Sequence, residues 1–376
     1  ATAPTLEAGG CKLYALGTSL NLGADERWVY VGLSGLDANL DASLRLMMEL
    51  FTAPNVEPGT LDKMKVVALG AHQDDKKNPG VVFWALNEFA QRGTGSQLLH
   101  RLSDAETRAL AQDRLLSSAR RVWEYPADVR YVGGRSHEDF ARLFASIVPA
   151  PTRGRETGKR IGVLRPARSR VLFTHRDMVQ SQIFMYTPDG VLDPAAQVDC
   201  DMYSAYMGGS MSAVYFQEIR EARSLAYAAG GGYEQGHWAG DDNKVTAGLG
   251  CQADKTVESA TLAAALLREP PLSAKRFAAA KQSVVEGYRT NPIHFRGVPD
   301  TVLRWEEEGI LHGDPRPARF ARAQAYTLKD LERFATRFKE SSLTFTILGN
   351  KSRVPLDQLK ALGTVEEVPL DSLFPY

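Results

Sequence analysis

A guanidinium and a phenol are the two side chains of this sequence best placed to do chemistry. In the stretch GGSMSAVYFQEIREARSLAY, residues 208–227, Arg220 precedes Tyr227 with six residues between them. The stretch reads as a helix capped by Ser210 or Ser212, a reversal at Ser224 and then a strand carrying Tyr227. A hard turn of this kind can hold both groups on one side, where they donate hydrogen bonds to a peptide carbonyl. By residue type alone a structural role is the commoner one. Arg220 can pair with Glu218, Glu221 or Asp201, and Tyr227 can be a core ring, since ion pairs on helix surfaces are frequent.

Other chemistry finds little support. The seven histidines (His72, His100, His137, His175, His237, His294 and His312) include no two that are three to five residues apart. The helical zinc pairs H-E-x-x-H and H-x-x-x-H are therefore excluded. His137-Glu138 opens a predicted helix in SHEDF, where capping and solvent contact are the expected roles. No G-x-S-x-G, P-loop or G-x-G-x-x-G occurs, and Gly230-Gly231-Gly232 falls in a predicted strand, where glycine marks close backbone approach. Cys11, Cys200 and Cys251 are far apart and form no CxxC, which argues for small buried thiols.

The elements that must position Arg220 and Tyr227 belong to an ordinary globular chain. Its 376 residues are 44% hydrophobic and 24% charged, enough for two domains with their own cores. Lys+Arg and Asp+Glu are both 45, a balance that does not argue for nucleic acid or an anionic membrane surface. No run approaches the ~20 apolar residues of a membrane span. Residues 12–20 and 27–33 read as a hairpin. Asp37 or Asn39 caps a helix with Leu40, Leu44, Met47, Met48 and Phe51 on one face. Helices follow at about 61–72 and in VVFWALNEFA, Ser103 and Glu106 form a capping box, residues 129–132 read as a buried strand, and Ser136 caps a helix. Residues 151–167, rich in Pro, Gly and basic side chains, read as a linker. Two strand-like runs around Arg176-Asp177 and a helix at about 194–206 precede the Arg220 segment.

Two parts of the chain repeat each other. Gly32-Leu33 recurs as Gly248-Leu249, Pro54 as Pro270, and Ser136 as Ser352, each at 248 − 32 = 216 residues. One register over three landmarks implies two homologous domains. They are predicted at 1–150 and 168–376, each α+β, a mostly antiparallel sheet with helices on one face. Residue 1 corresponds to residue 217 in this register, whereas the second copy begins near Arg168. The first domain is thus expected to be N-terminally incomplete, with an open edge that a partner chain or another segment of the same protein covers, and the chain reads as a piece of a longer protein.

The segment GGSMSAVYFQEIREARSLAY resembles the C-terminal half of the pitrilysin-type zinc metallopeptidases, the group of insulin-degrading enzyme, presequence proteases and mitochondrial processing peptidases. VYVGLSGLD, AHQDDKKNPG, VRYVGGRS, DMVQSQI and TILGNKS extend the resemblance to the longer bacterial four-domain members over nearly the whole chain. The resemblance implies the third domain without its start and all of the fourth. It implies a clamshell whose N-terminal half carries H-x-x-E-H and binds zinc. Its C-terminal half supplies an Arg and a Tyr that bind the substrate carbonyl and the transition state. Arg220 and Tyr227 match those two positions. The zinc motif has no counterpart here, so zinc is expected in an N-terminal half or a partner subunit, and the chain alone is expected to be inactive. A processing-peptidase-like subunit that binds peptides or braces a complex without catalysis is the alternative. Compartment and peptide substrate are not encoded in these motifs.

Overall fold

The computed structural model describes residues 6–25, 27–156 and 161–376. They divide into two compact units: 6–73, 102–156 and Tyr376 form one, and Asp74–Arg101 with Ile161–Pro375 form the other. Residues 74–101, placed by the sequence reading in the first domain, thus pack with the second.

In the first unit, β1 (Ser19–Ala24) and β2 (Val29–Ser34) make an antiparallel hairpin. The hairpin starts later than residues 12–20 suggest, because the helix Leu6–Ala15 takes Lys12 and the chain then turns at Gly17, whose φ of +63° suits glycine. The turn is set by Asp25, whose Oδ1 accepts from the Arg27 and Trp28 N–H groups at 2.8 Å each. The helix Leu40–Thr52 buries Leu44, Met47 and Met48 against Leu20, Val31 and Leu33. Ser103 and Glu106 form the expected capping box, and Ser136 Oγ accepts from the Asp139 N–H at 3.1 Å.

Residues 129–132 are a correction. They form no strand, and Val129 and Val132 are 45% and 42% exposed. An extended segment becomes a strand only by joining a ladder. Its counterpart 216 residues on lies between two strands, whereas among the described residues of the first unit only β1 and β2 form a sheet.

The second unit holds a six-stranded sheet built from β3 (Arg170–His175), β4 (Gln180–Val191), β5 (Ala226–Glu234), β6 (Asp242–Gln252), β7 (Thr344–Gly349) and β8 (Thr364–Glu367), in the order β5-β6-β4-β7-β3-β8. The pairs β5/β6, β6/β4 and β4/β7 are antiparallel; β7/β3 and β3/β8 are parallel. One face of the sheet carries Ile183, Met185, Val245, Ala247, Phe345 and Ile347 into a core with the helices Gln197–Met207, Thr256–Arg268 and Leu328–Thr336. Tyr186 and Thr346 point to the opposite face by strand alternation. There they meet the helix Pro79–Arg92: Tyr186 Oη donates to the Ala90 carbonyl at 2.7 Å, and Thr346 bonds Asn87. Val82, Ala85, Leu86 and Ala90 of that helix are buried, each larger side chain contributing about 1.5–3 kcal/mol. The fold class is α+β.

The repeat register carries into three dimensions. The single turns Asp37–Asn39 and Ala253–Lys255 are offset by 253 − 37 = 216, and so are the helices Leu40–Thr52 and Thr256–Arg268. Buried Leu44, Met47 and Met48 correspond to buried Ala260, Ala263 and Ala264. The same helix face is turned inward in both copies.

Candidate functional site

Arg220 and Tyr227 lie in the second unit, on the segment that links the helix Gln197–Met207 to β5. That helix ends at Gly208, whose N–H still donates to the Ser204 carbonyl at 3.0 Å. Gly208 sits against β5 so closely that a Cβ on it would lie 2.1 Å from the Gly231 carbonyl oxygen. Only glycine fits there.

The expected helix over AVYFQEIREAR is present as a π-helical turn, Phe216–Glu221, in which the Ala222 N–H reaches the Gln217 carbonyl at 2.9 Å. Such wide turns recur at functional sites. Tyr215 and Ile219 face the core, which leaves the Arg220 side chain 43% exposed. The helix is closed by the Ser224 and Leu225 N–H groups, which donate to Arg220 and Ile219 at 3.0 and 3.1 Å. Ser224 takes φ +50°, the left-handed region that serine rarely occupies. β5 then opens with a bulge between Ala226 and Ala228, where it pairs with β6. The bulged residue is Tyr227. It is 80% exposed, so the core role open to it by residue type is not the one it has.

The two side chains meet. The Arg220 guanidinium carbon lies 5.7 Å from the centroid of the Tyr227 ring and 4.7 Å from that of Phe216. Its Nε lies 3.5 Å from Glu221 Oε1, a half-exposed and hence weak ion pair. The other two acids considered as partners are engaged elsewhere. Glu218 lies 3.2 Å from Arg276 and 3.5 Å from Arg223, and Asp201 accepts from Gln197 and Tyr288. Arg220 is therefore steered by two aromatic rings and one neighbouring carboxylate, and its side chain stays part exposed. A phenol and a guanidinium in this arrangement can both donate to one acceptor, and their combined pull rises when that acceptor is an oxyanion.

Phe216 was not singled out from the sequence, whereas Glu221 was one of the three acids open to Arg220 as a partner. The signal was present for Phe216, which stands four residues before Arg220, the spacing at which helical side chains meet.

The donor set for zinc is not found here. Among the described residues no three His, Cys, Asp or Glu side chains gather as a metal would require. His72 Nδ1 is 2.8 Å from Asp104, while His175 and His294 each accept from a backbone N–H. The Cys200 and Cys251 thiols are buried and pushed up by desolvation, and neither is in a disulfide. Among the described residues no helix is long and apolar enough to cross a membrane.

No protein-family model matches the chain, and no curated protein matches it. Solved structures do. The peptidase M16 inactive domain from Pseudomonas fluorescens superposes with a TM-score of 0.69 at 16% identity, over 92% of this chain and 84% of that one. A mutant of the ferredoxin protease FusC in complex with Arabidopsis ferredoxin gives 0.73 at 13% identity, over 93% of this chain. The periplasmic protease PqqL from Escherichia coli gives 0.68 at 12% identity, over 92%. The chain spans 39% and 38% of those last two chains. The fold is that of the M16 peptidases, the group to which the pitrilysin-type enzymes belong.

Proposed function

We propose that this chain is the non-zinc half of a clamshell zinc metalloendopeptidase, and that Arg220 and Tyr227 bind the carbonyl of the peptide bond to be cleaved. The observation that carries the reading is their juxtaposition, a guanidinium 5.7 Å from an exposed phenol ring on a bulged strand end. A core or purely ion-paired role requires neither the exposure of Tyr227 nor the bulge that presents it.

The roles follow from chemistry. A neutral carbonyl gains little from two donors, while the oxyanion of a tetrahedral intermediate gains more, so the pair acts chiefly on kcat. Phe216 holds the guanidinium from behind by a cation–π contact. On this reading the zinc belongs to a partner half and would supply the activated water; the chain's own contribution is to bind and orient the carbonyl.

One observation favours a second reading. The Pseudomonas fluorescens neighbour, which this chain covers to 84%, is described as an inactive domain. On that reading the chain is a non-catalytic partner that binds peptides or braces a complex.

The test is peptide turnover by the complete protein carrying Tyr227→Phe or Arg220→Ala, with melting temperature measured alongside. Lower turnover at unchanged melting temperature supports the first reading. Wild-type turnover in both variants ends it.

A further inference from the structure

We infer that the second unit carries a binding site for a small organic anion, at the edge of its sheet opposite to β5. A cleft of about 520 Å³ opens there, between the helix Thr256–Arg268 and the turn that leads into β8. That volume is in the range of small-molecule pockets. Phe345 and Ala264, both buried, and the half-buried Leu362 give it apolar walls. Arg168, Arg268 and Lys360 also line it, and none of the lining residues is acidic.

The shape follows from the fold. Thr261, Ala264, Ala265 and Arg268 are three, four and seven residues apart and so share one side of their helix, where the small side chains leave room. Across the cleft, Gly363 settles onto the residue before β3. A Cβ on it would lie 2.2 Å from the Ser169 carbonyl oxygen, which also accepts from the Thr364 N–H at 3.2 Å. The turn carrying Lys360 and Leu362 is thereby fixed.

The two guanidiniums are not neutralised within the protein. Among the described residues, Arg168 makes no side-chain hydrogen bond or ion pair. Arg268 donates to the Ser341 carbonyl at 3.2 Å and meets no acid. The nearby carboxylates are taken by other cations: Glu269 lies 2.8 Å from Lys339, and Asp357 lies 2.7 Å from Lys360. Two uncompensated guanidiniums on one hollow repel each other, and an anion between them removes that repulsion. Their planar forks match a carboxylate or a phosphate. The apolar walls call for a ring or a short hydrocarbon chain behind that head group, since they cannot satisfy a polar body.

The site is separate from the carbonyl-binding pair. Four strands lie between β5 and β8, which sets the cleft roughly 24 Å from β5. The inference therefore does not depend on the role of Arg220 and Tyr227.

The experiment titrates the full chain with benzoate, phenyl phosphate, inorganic phosphate and benzyl alcohol, followed by amide NMR and calorimetry. Benzoate or phenyl phosphate should saturate a site that shifts the Ala265, Gly363 and Thr364 signals together, and the tighter of the two identifies the head group. Inorganic phosphate and benzyl alcohol should bind about tenfold more weakly or less. Arg168→Gln, which breaks no side-chain contact within the protein, should weaken the bound anion by about tenfold or more. Thr261→Trp, at an exposed helix position, should fill the cleft and abolish binding with all three cations in place. No saturable shift with either aromatic anion, an unchanged affinity in Arg168→Gln, or parental binding by Thr261→Trp overturns the site. Inorganic phosphate binding as tightly as the tighter aromatic anion overturns the apolar body, and benzyl alcohol doing so overturns the anion.

Discussion

The Tyr186 hydroxyl donates to the Ala90 carbonyl at 2.7 Å, joining a central strand of the sheet to the last turn of a helix 96 residues earlier in the chain. The same carbonyl accepts from Arg170 Nη2 at 2.8 Å, and Gln91 beside it accepts from Lys244 Nζ at 2.6 Å. The helix Pro79–Arg92 is thereby an integral part of the second unit. Tyr186→Phe should cost about 1 kcal/mol, since Arg170 still satisfies the carbonyl. Leu86→Ala should cost about 2–5 kcal/mol, because it opens a cavity under a fully buried side chain. Urea unfolding followed by a probe in β4 should register both losses. A β4 transition indifferent to Leu86→Ala would detach this helix from the unit.

For the candidate site, Tyr227→Phe in the complete protein should lower kcat by about 10²–10³, the usual loss for one oxyanion donor, and raise KM less. Arg220→Ala should affect binding as well, because a guanidinium also contacts the ground-state carbonyl. Steady-state kinetics at matched folded concentration decide the point.

Phe216→Ala should act through Arg220. Removing the ring at 4.7 Å leaves the guanidinium steered by Tyr227 and Glu221 alone. Turnover should fall less than in Arg220→Ala, and a Phe216→Tyr variant should restore it. A Phe216→Ala protein as active as the parent would show that the ring is not a positioning group.

Gly208→Ala and Gly230→Ala form a matched pair. A methyl on Gly208 would lie 2.1 Å from the Gly231 carbonyl oxygen, whereas one on Gly230 would meet only the Gly208 carbonyl oxygen, at 3.9 Å. The first should destabilise by about 1–3 kcal/mol or displace β5. The second should be neutral or slightly stabilising, since glycine weakens a strand. Equal melting temperatures for the two would contradict the close approach of Gly208 to the edge.

Asp201 gives a pH signature. Burial raises its carboxyl above the ordinary value, outweighing the lowering by Tyr288 Oη, which donates at 2.5 Å, and by Gln197. The folded state keeps this proton to higher pH than the unfolded chain does. Its contribution is therefore fully present below the unfolded value of 3.8 and is lost as pH rises through the raised one. Asp201→Asn should gain stability relative to the parent as pH rises from about 4 to 7. Thermal unfolding at several pH values measures the difference, and a constant difference would rule out the shifted carboxyl.

Local and periodic features were legible in the sequence. The capping box at Ser103 and Glu106, the Ser136 cap and the Leu44, Met47, Met48 face each depend on residues within one or two turns, and all are present. The 216-residue register predicted which elements would correspond, because related segments keep their buried positions in step. The spacing of Arg220 and Tyr227, with a reversal at Ser224 between them, was also legible.

What depended on distant neighbours was not. Residues 129–132 have the composition of a strand, but a ladder needs a partner strand that composition cannot supply. The apolar face of Pro79–Arg92 announces burial without saying against which sheet, and tertiary packing gives it to the second unit. The exposure of Tyr227 follows from a bulge, a mismatch between β5 and β6 that no single segment encodes. Alternation along β5 was written in the sequence. Only the end of the helix Gln197–Met207, lying against Gly231 and Tyr233, decided which part of that strand is covered.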